Sequence, residues 1–148
     1  MDKKRFIEIC DLKLKLVRTE FSFSQEKMAL ALGLSKKTLV EIEKGRSTLG
    51  WTGSVALSSI FCDSEIISNS FGGNPVYIIR DLAFEGSEVY YPKTISGKIW
   101  WQTILANDKY LIQQNIISQH YRIVTIDGKR IASSFDMDDL TELFYQKP

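Results

Sequence analysis

The 148-residue sequence predicts an α+β chain: an all-helical front, then a small antiparallel β-sheet with a C-terminal helix. Three observations predict it. Apolar residues recur at helical spacing from residue 3 to about residue 84. Beyond Gly86 they give way to short runs of β-branched and aromatic residues. Serine, asparagine and glycine stand where the helices should begin and end.

The first helix is predicted over residues 3–20. Phe6, Ile9, Cys10, Lys13 and Val17 form its stripe, with Leu14 and Leu16 beside it. Phe21-Ser22-Phe23-Ser24 breaks it. Ser24 is placed to cap a second helix over 25–32, with Phe23 stapled onto Met28. Gly33 ends that helix in the left-handed conformation. Ser35 caps a third over 36–44, with Leu34 and Leu39 repeating the staple, and Gly45 ends it. Thr52 is expected to cap a fourth helix to about Phe61, and Asp63 a short fifth to about Ser70. Asn74-Pro75 is a cap followed by proline at the first helical position, starting a sixth helix to about Phe84.

Strands are predicted at 88–93, 99–105, 110–115, 121–126 and 129–134. Turn residues separate them, and Asp127-Gly128 is the clearest hairpin signal. Asp136 is placed to cap a last helix over about 137–145. The organisation is two domains, 1–72 and 73–148, connected through the helix at about 75–84.

Composition excludes several classes. No stretch approaches 18 apolar residues, so no membrane span is expected. The start, MDKKRFIEICDLKLK, has charges throughout and no apolar core, unlike a signal peptide. Cys10 and Cys62 have no motif spacing and read as reduced core residues of a cytoplasmic protein. His120 is the only histidine, so no metal site is expected. No phosphate loop, dinucleotide fingerprint, or nucleophile and base constellation is present, so no enzyme, catalytic residue or cofactor is expected. Asp136, Asp138 and Asp139 open the last helix and are explained by its dipole. The net charge of +1 conceals an asymmetry. Residues 1–50 carry 11 Lys/Arg against 7 Asp/Glu, whereas the remainder carries 8 against 11. A basic front on an acidic remainder suits a nucleic-acid-facing segment joined to something else.

Residues 25–46 hold two short helices three residues apart. Small Ala29 and Gly33 fall where the helices meet, and Met28, Leu32, Leu34, Leu39 and Ile42 supply a shared core. Here the chain resembles the Cro/C1-type, phage-repressor-like helix-turn-helix proteins, also called the XRE family. Arg18, Gln25, Glu26, Met28, Ala29, Leu32, Gly33, Leu34, Ser35, Thr38, Leu39, Ile42, Glu43, Gly45 and Arg46 carry the resemblance, over about residues 10–70. Ser22, where glycine is usual, and Trp51, where a proline-containing loop is common, depart from it.

The resemblance implies a lambda-repressor-like front domain with helix 36–44 in the major groove and helix 25–32 across the backbone. Ser35, Lys36, Lys37, Thr38 and Glu41 would face the bases, since lysine donates to guanine, threonine meets a thymine methyl and glutamate accepts from cytosine. Gln25, Lys44 and Arg46 would hold phosphates. Arg18 and Glu43 would form a structural ion pair. The function implied is sequence-specific double-stranded DNA binding by a homodimeric transcriptional regulator, a repressor. An antitoxin whose back domain binds a partner protein is the alternative, and an enzyme with a targeting arm is a more distant one.

The back half is rich in aromatics: Tyr90-Tyr91, Trp100-Trp101, Tyr110 and Tyr121. With Arg122 and Arg130 they suit a core or subunit interface, a small-molecule effector pocket, or a surface that stacks single-stranded nucleic acid. Adjacent Trp100 and Trp101 should point to opposite faces of a strand, one into the core.

Overall fold

The computed structural model describes residues 1–84 and 100–146. The chain is α+β and divides into two units, Met1–Tyr90 and Tyr91–Pro148. The expected strand at 88–93 lies outside the described residues, as do Gly86 and Tyr90-Tyr91.

Among its described residues the first unit holds six helices: α1 Lys3–Glu20, α2 Gln25–Leu32, α3 Lys36–Glu43, α4 Gly50–Ile60, α5 Glu65–Phe71 and α6 Pro75–Ala83. Phe6, Cys10, Leu14 and Val17 form the buried stripe of α1. Leu14 thus takes the place expected for Lys13, and Leu16 is exposed. Met28, Ala29 and Leu32 of α2, Leu39 and Ile42 of α3, and Leu57, Ile67 and Leu82 complete one core. Both cysteine thiols are free; Cys10 is buried in this core and burial pushes its pKa up.

Two helix starts lie elsewhere than Thr52 and Asp63. Thr52 is inside α4, whose N-terminus is held by the Asp11 carboxylate, accepting from the Leu49 N–H at 2.8 Å. The cap of α5 is Ser64, which accepts from the Ile67 N–H and donates to the Glu20 carboxylate. Glu20 also accepts from the Glu65 N–H at 2.8 Å. So α1 holds the ends of two later helices. Asn74 caps α6 through the Val76 N–H, and Leu82 of α6 lies in the first unit's core. The division expected after residue 72 therefore comes too early, because α6 buries its apolar face against the helices before it.

The second unit is a meander of β1 Trp101–Ala106, β2 Tyr110–Asn115, β3 Tyr121–Thr125 and β4 Arg130–Ser134, all antiparallel and in sequence order, followed by α7 Met137–Gln146. Leu105, Ile112, Ile123 and Ala132 lie opposite one another across the strands. They share one sheet face, which Leu140 and Phe144 of α7 cover. Asp136 accepts from the Asp138 N–H at 2.9 Å at the start of α7. Neither Trp100 nor Trp101 is core: Trp100 is exposed and Trp101 half-buried. Ile112, Ile123, Leu140 and Phe144 fill the core of this unit, and Trp101 lies instead against the Arg122 guanidinium. No helix among the described residues is long and apolar enough to cross a membrane.

Candidate nucleic-acid interface

Two local devices build the α2–α3 pair. Ser24 accepts from the Lys27 N–H and Ser35 from the Thr38 N–H, both at 3.1 Å, so each helix satisfies an otherwise orphaned donor. Between them Gly33 takes φ 69°, and its N–H and that of Leu34 bond back to the carbonyls of Leu30 and Ala29. A glycine meets that left-handed turn without a Cβ penalty. Leu39 and Ile42 then fix which side of α3 faces the core.

The opposite side of α3 is open. Lys36, Lys37, Lys44 and Arg46 are exposed, and Thr38 and Glu41 are half-buried. Among the described residues Lys37 and Lys44 have no ion-pair partner. Lys36 is different: its ammonium pairs with the Glu26 carboxylate of α2. Hydrogen bonding from Lys36 holds the Glu26 carboxyl below the usual carboxylate range. Both groups are exposed, and such a pair contributes little and yields readily to a phosphate. Arg46 lies 3.9 Å from Glu41, and its N–H closes the turn onto the Glu41 carbonyl. The Ser35 hydroxyl also donates to Thr38 Oγ1 at 2.8 Å, so both hydroxyls serve the helix start.

Beneath this surface lies a charged knot. Arg18 Nε donates to Glu43 Oε1 at 2.6 Å and Arg18 Nη2 to Glu43 Oε2 at 3.1 Å. Arg18 Nη1 donates to the Phe23 carbonyl at 3.0 Å. The Gln25 amide donates to Glu43 Oε2 at 3.1 Å. The Glu43 side chain is only 5% exposed and that of Arg18 16%. Burial opposes ionisation of Glu43. The hydrogen bonds from Arg18 and Gln25, with the attraction of Arg18 and Lys15, outweigh it and lower the carboxyl pKa. The same pairing raises that of Arg18.

Ser35, Lys36, Lys37, Thr38, Glu41, Lys44 and Arg46 thus lie on or beside α3. Gln25, expected on a phosphate, has its amide on Glu43 and ties α2 to α3. One of the amide's two N–H groups is used in that bond. Sequence reasoning gave no role to Glu26, which neutralises Lys36, nor to the Phe23 carbonyl, the third acceptor of Arg18. Glu26 carried a signal, an acid in the first turn of α2; the carbonyl carried none. Among the described residues no group of three or more His, Cys, Asp or Glu side chains is arranged to hold a metal ion. No protein-family model matches the chain, nor does any curated protein or solved structure.

Proposed function

We propose that the protein binds double-stranded DNA sequence-specifically through α3, acting as a homodimeric, cytoplasmic transcriptional repressor of the Cro/C1 helix-turn-helix type. One observation carries the reading. α3 is pinned by its core residues and by Glu43, while cations stand exposed at both its ends, Lys36 and Lys37 in its first turn and Lys44 and Arg46 after it. A short helix held rigidly with its positive face outward suits insertion in the major groove. Lys37, with no competing acid among the described residues, is the foremost base reader, and Lys36 exchanges Glu26 for a phosphate or a guanine edge. Glu41 and Thr38 offer an acceptor and a methyl to neighbouring bases. A dimer sets two such helices about 34 Å apart, one turn of the duplex.

The test is in-vitro selection from random duplex DNA with the full chain, beside the Lys36→Ala/Lys37→Ala variant. The expected result is an inverted repeat with half-sites about one turn apart, lost in the variant. Lys44→Ala should leave the selected sequence unchanged while lowering the salt dependence of binding by roughly one unit of slope. No enrichment at low salt, or the same enrichment with the variant, would overturn the reading. An antitoxin role, with the second unit bound to a partner protein, is the second reading. Co-purification of one stoichiometric partner from the native host would select it.

A further inference from the structure

The sheet of the second unit has two unlike faces. α7 covers the one bearing Ile112 and Ile123. On the other, Thr103, Gln113, Arg122 and Ser133 lie opposite one another across all four strands. Arg122 is fixed there. Its Nε and Nη2 donate to Gln113 Oε1 at 3.0 and 2.8 Å, and its guanidinium lies 3.7 Å from the centre of the Trp101 ring. His120 meets Trp101 edge-on, with ring centres 4.9 Å apart, and Phe135 follows at 5.7 Å from His120. Arg130 donates to the Ser133 hydroxyl.

Neither arginine has a carboxylate partner among the described residues. Burial, and then the repulsion of Arg130, lowers the Arg122 pKa. The acids Asp138, Asp139 and Glu142 lie on α7, which packs on the other face. Of these, Asp139 reaches the edge of the Arg130 groove, where its carboxylate accepts from the Ser134 hydroxyl at 2.9 Å. Beside Arg130 is a groove of about 320 Å³ lined by His120, Arg130, Ser133, Ser134 and Phe135. Phe135 is 78% exposed, a large apolar ring presented to solvent at the rim.

We propose that this groove binds a small phosphate-bearing planar ring, of the mononucleotide class. Arg130 takes the phosphate through its planar fork, and Arg122 adds a second, immobile positive charge behind it. The ring stacks on Phe135 and His120, as bases stack on exposed aromatics. The groove volume falls at the low end for small-ligand sites, room for one ring and one phosphate rather than a run of nucleotides. The two guanidiniums, without a carboxylate partner among the described residues, supply charge complementarity to an anion. Nothing in this inference depends on α3 binding DNA.

Isothermal titration of the full chain tests it, with AMP, GMP, CMP and UMP each set beside its nucleoside, inorganic phosphate and a short oligodeoxyadenylate. The expected result is one nucleotide per chain, with nucleoside and phosphate at least about tenfold weaker, the worth of one charge-assisted contact. Arg130→Ala should weaken binding about tenfold to a hundredfold without moving the melt, because Arg130 is exposed. Phe135→Leu, also exposed, removes the stacking ring and leaves the charge, and should weaken nucleotide but not phosphate. No binding of any nucleotide would overturn the proposal. So would equal affinity in both variants, or an affinity for oligonucleotide that climbs with length beyond that for the mononucleotide.

Discussion

Glu43→Ala should destabilise the first unit by about 3 kcal/mol, the low end of the cost of removing one partner of a buried ion pair. The structure sets that position in the range. Glu43 accepts three hydrogen bonds, two from Arg18 and one from Gln25, and its removal orphans all three donors. Arg18 keeps its bond to the Phe23 carbonyl and some contact with water, which holds the cost from rising further. For a unit of this size about 3 kcal/mol lowers Tm by roughly 12–24 °C. Thermal melting followed by far-ultraviolet circular dichroism at neutral pH reads it. Replacing both partners by apolar residues, Arg18→Met with Glu43→Leu, should recover much of the loss, because no charge is left buried. A pH series gives a second reading of the same pair. The folded Glu43 pKa lies below its unfolded value of about 4.3, so between the two the unfolded state holds more protons. The stabilisation is complete above the unfolded value and is lost as pH falls through the folded one. Glu43→Ala should flatten that acid limb. A mutant melting within a few degrees of the wild type, with an unchanged acid limb, would refute the reasoning.

Three further outcomes are expected. Ser35→Ala removes the cap of α3 and should cost about 1 kcal/mol by chemical denaturation, weakening DNA binding more than the stability loss alone explains. Ser22 sits at φ 54°, a left-handed backbone that favours glycine, so Ser22→Gly should raise stability by about 0.5 kcal/mol; a loss above about 1 kcal/mol would count against strain there. Ile123→Ala empties the centre of the second unit's core and should cost about 2–5 kcal/mol in that unit, leaving the first unit's melt in place.

Helix starts divide by where their capping group comes from. Ser24, Ser35 and Asn74 cap the helices that directly follow them, and each is legible because cap and donor lie within three residues. The start of α5 lies one residue past Asp63, at the local cap Ser64, whereas that of α4 was misplaced because Asp11, 38 residues away in sequence, holds it. No local pattern announces a carboxylate that arrives from another helix. Strands β2 to β4 were legible to within a residue, since turn residues bracket alternating apolar runs. The tryptophans were misread because a strand's alternation says which residues share a face, and packing decides which face α7 covers. At the candidate interface, the positive residues were legible, but Gln25 and Lys36 turned out to have partners inside the protein. A spacing shows what a side chain can reach, and competing acids such as Glu26 and Glu43 decide what it holds.

The meander has a kinetic consequence. Its ladders join residues no more than fifteen apart, as Tyr110 and Thr125 are. The helical unit closes only when partners 25, 38 and 45 residues apart find one another, Arg18 with Glu43, Asp11 with Leu49, and Glu20 with Glu65. Tripling a loop from fifteen to 45 residues adds about 1 kcal/mol of closure entropy. The usual ordering, helices quick and sheets slow, follows from the range of contacts rather than from the type of structure. In this chain the sheet has the shorter range, so its ladders should form ahead of the helical unit's long-range closures, even though the helical unit leaves the ribosome first.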